Sequence, residues 1–247
     1  MNIREIRAQN ILSKSQIYDY ALNPYVGCRH SCVYCYAKFM KRFSGHKEPW
    51  GKFVDVKINA PELLEREVRK KKVGRVWISG VCDPYQPLER KYMITRKCLG
   101  ILAEVGWPFT IQTKSPLVLR DLEIIRRSKD AEVCFTITTA DERIRKIFES
   151  AAPTSAKRIE ALERLHSEGI RTLAMIAPIL PGAEGLIGGL KGKVDHIIID
   201  RLNYHYAAWA YKKHGLEWAM EDSFFRQKAD ELKAAFEKEG IPCQAVF

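Results

Sequence analysis

No run of about 18 apolar residues occurs in the 247-residue chain, so no membrane-spanning helix is expected. The N-terminal stretch MNIREIRAQNILSKS is charged and has no apolar signal core, so export is not expected either. A cytoplasmic location follows as the expectation. Thiols stay reduced there, so the seven cysteines point to metal binding or catalysis rather than to disulfides. No segment is of low complexity, no repeat recurs at a fixed period, and no linker stands out by composition. A single domain is the simplest organisation, with 46% apolar and 29% charged residues in ordinary globular balance. Acidic residues are the scarcer sign, 30 against 41 basic ones, which gives a net charge of +11. That excess permits an anionic partner such as nucleic acid. Its densest run, EREVRKKKVGR at 65–75, is the pattern of a solvated helix face and end. No cluster interleaves aromatics with basic residues as a base-stacking platform does. Charge alone does not name the partner.

Apolar, β-branched runs alternate with helical patterns along most of the chain. RVWISGV (75–81), FTIQTK (109–114), EVCFTITT (132–139), RTLAMIAPIL (171–180) and HIIIDRLN (196–203) are too apolar for half-exposed strands. They have the pattern of strands buried on both faces, as in a parallel sheet. Helical patterns lie at 60–71, 94–106, 115–128 and 154–169. Thr154 is placed to cap the last of these and Gly169 to end it, while Ser115-Pro116 suits a cap with proline at the first helical position. With DYALNPYVG as a first strand there are six βα units, which predicts one parallel α/β sheet, open or closed into a barrel. The motif-bearing part ends near 205. Beyond it, 206–247 forms a helical extension with an amphipathic helix at 221–240 and IPCQAVF as a short last strand.

In such sheets chemistry gathers in loops at the carboxyl ends of strands. The loop after the first strand reads NPYVGCRHSCVYCYA and puts three cysteines, Cys28, Cys32 and Cys35, into eight positions. On a helix this i, i+4, i+7 spacing would be one buried stripe. Pro24, Gly27 and the polar Arg29-His30-Ser31 argue for a turning chain instead. Structural zinc takes four protein ligands, and no second cysteine pair exists; Cys82, Cys98, Cys134 and Cys243 stand apart. A zinc-stabilised binding module nevertheless stays as the alternative from another functional class. An iron–sulfur cluster held by three thiolates leaves one iron without a protein ligand, open to a substrate or cofactor. The GGLKGK stretch at 188–193 lacks phosphate-loop spacing, and Val194 stands where Ser or Thr is needed.

C-x3-C-x2-C with an aromatic before the third cysteine resembles the signature of the radical S-adenosylmethionine (SAM) superfamily. The further order SGVCDPYQPLE, TKSP, TTADE, PILPG and DRLN resembles its spore photoproduct lyase-like branch, over roughly residues 20–205. The resemblance implies a partial (β/α)6 barrel of the radical SAM type. It implies that Cys28, Cys32 and Cys35 bind a 4Fe-4S cluster and that SAM chelates the fourth iron. Reduction by an external donor of flavodoxin or ferredoxin type would then cleave SAM to a 5′-deoxyadenosyl radical, which abstracts hydrogen from a substrate. By analogy Tyr34 packs near the adenine, and Asp83 meets the SAM ribose or ammonium. Lys114 reaches the SAM carboxylate, and Thr136 or Thr138, sharing one face of their strand, meets the ribose. Arg201, at the mouth of the last strand beside Asn203, Tyr204, His205 and Tyr206, completes the cofactor set or lines a substrate pocket. Cys82 is the candidate hydrogen-atom donor. In the lyases that donor sits further upstream, at a place corresponding to Gly80, so this chain departs from the repair reaction there. A nucleic-acid photoproduct lyase or modifying enzyme is the alternative within the enzymes.

Overall fold

A computed structural model describes all residues, 1–247. Eleven strands are present: β1 (Asn2–Ile6), β2 (Leu12–Lys14), β3 (Tyr20–Leu22), β4 (Tyr25–Val26), β5 (Phe53–Lys57), β6 (Val76–Ile78), β7 (Phe109–Thr113), β8 (Ala131–Thr136), β9 (Arg171–Ile176), β10 (His196–Ile199) and β11 (Cys243–Ala245). Contacts divide the chain into two compact units, residues 1–30 with 37–133, and residues 31–36 with 134–247. The chain passes from one to the other inside β8.

In the first unit β3, β6 and β7 run parallel and β2 closes the edge antiparallel to β3. A second, three-stranded sheet, β1-β5-β4, has β1 parallel and β4 antiparallel to β5. In the second unit the order is β11-β10-β9-β8, with β9, β10 and β11 parallel. Neither closes into a barrel. The six βα strands expected from the sequence are all present as β3, β6, β7, β8, β9 and β10, and IPCQAVF supplies β11.

Burial explains the parallel pairing. Five of six β8 residues are buried, and so are Leu173, Ala174, Ile176, Ile197 and Ile199 in β9 and β10, which leaves only the His196 and Ile198 face of β10 partly exposed. Helix Ser155–Ser167 begins where the Thr154 side chain accepts from the Lys157 amide, and stops before Gly169 at φ 73°. Ser115 likewise accepts from the Leu117 amide. The helix expected over 115–128 divides into a 3-10 turn, Pro116–Asp121, and an α-helix, Leu122–Arg127. The division falls at Asp121, a fully buried carboxylate gripped by Arg96, Arg120 and the Tyr85 hydroxyl. Short strands β1, β2 and β5 and helix Glu142–Phe148 are elements that the sequence pattern did not single out.

Candidate functional site

In the first unit the chain turns into the cysteine loop at Gly27, whose φ of 88° and lack of a side chain are both required. A Cβ there would stand 2.5 Å from the Phe53 carbonyl oxygen. Cys28 follows, buried, and its backbone is held on both sides by one side chain. Gln86 Nε2 donates to the Gly27 carbonyl at 3.1 Å, and the Arg29 amide donates to Gln86 Oε1 at 3.0 Å. Gln86 is fully buried.

Asp83 is a hub. Its Oδ1 accepts from the Tyr85 amide at 2.8 Å and the Thr113 hydroxyl at 2.7 Å; its Oδ2 accepts from the Lys114 amide at 2.8 Å. His30 Nε2 faces Oδ2 at 3.2 Å. Burial pushes the Asp83 carboxyl up, but His30 and the donors from Lys114 and Thr113 outweigh it and hold the group down at about 2. Neither ring nitrogen of His30, only 3% exposed, makes a well-directed hydrogen bond. Lys114 is half-buried at the end of β7. Cys82 is half-buried, its sulfur 2.8 Å from Ser79 Oγ, and burial pushes its thiol up to about 12. At Gly80 a Cβ would stand 2.9 Å from the Trp77 ring, so the position has no room for a side chain unless the indole shifts.

In the second unit Ser31, at φ 52°, leads into Cys32, and the Cys35 amide donates to the Cys32 carbonyl at 3.2 Å in a tight turn. The Val33 amide donates to the Phe148 carbonyl at 2.9 Å. The Tyr34 hydroxyl donates to buried Glu149, whose other oxygen pairs with fully buried Arg158 at 2.6 Å. Arg158 in turn donates to the carbonyls of Thr136 at 3.0 Å and Pro153 at 2.7 Å. Burial, then Glu149 and Cys32, lift the Tyr34 phenol well above its ordinary range. Its ring packs with Cys32, Phe148, Leu180 and Tyr211. The residue thus anchors the loop through its polar end.

Thr136 is buried at the end of β8. Thr138 is fully buried two residues on, and its hydroxyl has no partner. Arg201 lies with Asp222 at 2.7 Å, a half-exposed pair. Tyr36, directly after Cys35, stacks on Tyr204 at 6.4 Å, and Tyr204 stacks on Tyr206 at 5.7 Å. All three rings are more than a third exposed. Gln86, Glu149 and Arg158 escaped the sequence reading. Gln86 lay inside the quoted CDPYQPLE cluster, but Glu149 lies 115 residues from Tyr34 and carries no local signal.

These strands and this loop define a class. The family model described as Radical SAM superfamily matches residues 22–184, two thirds of the chain, and the protein belongs to that superfamily. A relative from Methanocaldococcus jannaschii, itself described as uncharacterized, is 31% identical over 259 aligned positions, covering 100% of this chain and 97% of the relative. An uncharacterized protein of Acidianus two-tailed virus is 33% identical over 171 positions, covering 66% of this chain and 56% of its own length. One from Mycobacterium bovis is 31% identical over 172 positions, 66% of this chain and 50% of the relative. The match therefore spans only about half of those two proteins. Among solved structures, spore photoproduct lyase complexed with a dinucleoside spore photoproduct superposes with a TM-score of 0.72 at 14% identity, covering 99% of this chain and 82% of that one. Streptococcus suis SuiB bound to S-adenosylmethionine gives 0.62 at 13% identity, covering 92% and 50%. At such identities the likeness is one of fold, and it is the α/β fold of radical SAM enzymes.

The superfamily implies a 4Fe-4S cluster and SAM, and the residues suit them. All seven cysteines are thiols, not disulfides. No three His, Cys, Asp or Glu side chains converge closely enough to hold one metal ion, which a tetrahedral zinc would require. A cuboidal cluster takes each thiolate on a separate iron, so its ligands need not meet at a point. Buried polar atoms without a hydrogen bond include Nδ1 of His30, within the cysteine loop, and the Thr138 hydroxyl, past the end of β8. Such groups call for a polar occupant.

Proposed function

We propose that this chain is a radical SAM enzyme whose Cys28, Cys32 and Cys35 bind three irons of a 4Fe-4S cluster. The observation that carries the reading is the construction of the cysteine loop: Gln86 fixes the backbone on both sides of Cys28, and Tyr34, through Glu149 and Arg158, fixes the segment between Cys32 and Cys35. When bound, cluster and SAM together supply a 5′-deoxyadenosyl radical that abstracts hydrogen from the substrate. The chain supplies placement and exclusion of water. Asp83, its oxygens taken by Tyr85, Thr113, Lys114 and His30, acts as a positioning residue that ties the ends of β6 and β7 to the cysteine loop. Lys114 is the cation for the SAM carboxylate, and Thr136 and the unpartnered Thr138 hydroxyl face the ribose. Arg201, paired with Asp222, tunes the mouth of β10. Cys82, a protonated thiol, is the candidate hydrogen-atom donor. An external one-electron donor of flavodoxin or ferredoxin type completes the set. The test is anaerobic reconstitution with iron and sulfide, then SAM and dithionite. 5′-Deoxyadenosine forms in the wild type and vanishes in Cys32→Ala; undiminished formation in that variant removes the mechanism.

A second reading, action on nucleic acid, is favoured by the +11 charge and the exposed Tyr36–Tyr204–Tyr206 stack, since bases stack on such rings. Binding to irradiated and intact duplex across a salt series checks it. Equal affinities that collapse together with salt would reduce it to non-specific charge attraction.

A further inference from the structure

The PILPG stretch after β9 and the amphipathic C-terminal helix enclose a cleft that the cofactor chemistry leaves unused. One side of it is Pro181-Gly182, pinned to the chain leaving β8. The Thr139 hydroxyl donates to the Pro181 carbonyl at 2.7 Å, and the Ala140 amide donates to the Gly182 carbonyl at 3.2 Å. Gly182 has φ 84°, and a Cβ there would stand 2.8 Å from the Asp141 Cβ, so glycine is what lets the two loops close. The other side is the 3-10 turn Glu217–Met220 and the start of helix Asp222–Lys238. The cleft holds about 400 Å³, near the lower end of small-ligand sites.

Aromatic rings and carboxylates share its lining. Trp218 and Phe224 meet edge to face at 5.2 Å, and Phe224 packs against the core cluster that contains Cys32 and Tyr34. Trp218 keeps half of its surface open to solvent. The Lys228 ammonium is taken up by the chain's own carboxylates, Glu231 at 2.7 Å and Glu184 at 3.5 Å. Glu221 is not taken up. It stands at the N-cap of helix Asp222–Lys238 without capping it, and it receives only the Ser223 hydroxyl, at 3.3 Å. The positive helix end keeps that carboxylate ionised. On a chain of net charge +11, the cleft is therefore locally acidic, with Glu184 and Glu221 against Lys228. An aromatic wall beside a spare carboxylate holds organic cations and turns phosphates away. A guanidinium suits it better than an ammonium, because its plane can lie on an indole while its fork reaches carboxylate oxygens.

We propose that this cleft receives an arginine side chain of a polypeptide. It is open to solvent, so a long side chain can fill it while the rest of its chain lies outside. Substrates approach such sheets at the carboxyl ends of strands, where this cleft follows β9. Taking the polypeptide as the substrate rests on the radical SAM reading; the binding itself does not.

The test titrates the full-length protein as isolated, without SAM or cluster, with a blocked glycine peptide carrying one arginine and with its neutral citrulline counterpart, read by NMR. The arginine peptide is expected to bind about tenfold more tightly, the size of one exposed cation–π contact plus one screened ion pair. Trp218→Leu and Glu221→Gln should each cut that preference to about threefold. Both residues are exposed, so their urea midpoints should match the wild type. Equal binding of the two peptides, which needs no variant, overturns the proposal, as does an undiminished preference in either variant. Agmatine that binds as tightly as the peptide would assign the cleft to free guanidines and overturn the polypeptide, and so would displacement of the peptide by a single-stranded oligonucleotide. No arm depends on SAM cleavage, so loss of 5′-deoxyadenosine formation and loss of arginine binding are separable results.

Discussion

Replacing Gln86 by leucine removes one side chain and orphans two backbone groups on either side of Cys28. The Gly27 carbonyl is buried, so losing its 3.1 Å bond exposes the full desolvation penalty, about 1–3 kcal/mol. The Arg29 amide is only part-buried and can recover some hydration, so its 3.0 Å bond adds about 1 kcal/mol. Leucine is close in size and apolar, which keeps the packing contribution small in a site with no exposed surface. The sum is a loss of about 2–4 kcal/mol. Urea unfolding of the protein as isolated measures it, and iron bound per chain after anaerobic reconstitution measures the functional consequence. Both should fall in Gln86→Leu. Gln86→Glu keeps the Arg29 bond but sets a buried carboxylate oxygen against the Gly27 carbonyl oxygen, and should cost at least as much as Gln86→Leu at neutral pH. Wild-type stability and wild-type iron content in Gln86→Leu would refute the claim that this amide shapes the loop.

Glu149→Gln leaves the Arg158 guanidinium buried without its counter-charge, and should cost about 3–5 kcal/mol in urea unfolding; a cost below about 1 kcal/mol would make the pair an incidental contact. Asp83 has a folded pKa of about 2, below its ordinary 3.8, so the stability it contributes is present above about pH 4 and lost as pH falls toward 2. The stability gap between wild type and Asp83→Asn should therefore shrink across that window, and a gap constant with pH would contradict the assignment. Cys82 should react with iodoacetamide slowly at neutral pH, its rate still climbing beyond pH 10 toward about 12. A plateau near the ordinary thiol range would show an accessible thiolate instead.

The strand core was legible because β8 and β9 are largely buried on both faces and β10 is buried on one and half-buried on the other, so all three carry apolar runs. The cysteine loop was legible because its three ligand-type residues fall within eight positions of one stretch. The supports were not. β1 and β2 are largely exposed; in β1 four of five residues are exposed, so no apolar period marks it, while β5 is a buried central strand only five residues long. Glu149 and Arg158 form one pair with Tyr34 only after the chain has folded 115 residues back on itself. Asp83 was legible as a strand-end carboxylate, but its partners on β7 and in the cysteine loop were not, since hydrogen-bond saturation is a property of three segments together.

Iron and acid-labile sulfide per chain, measured after anaerobic reconstitution alongside zinc, test the account at its centre. About four of each are expected in the wild type and in Cys98→Ala, and their loss in Cys28→Ala, Cys32→Ala and Cys35→Ala. One zinc per chain with no sulfide, or full iron and sulfide in those three variants, would contradict it.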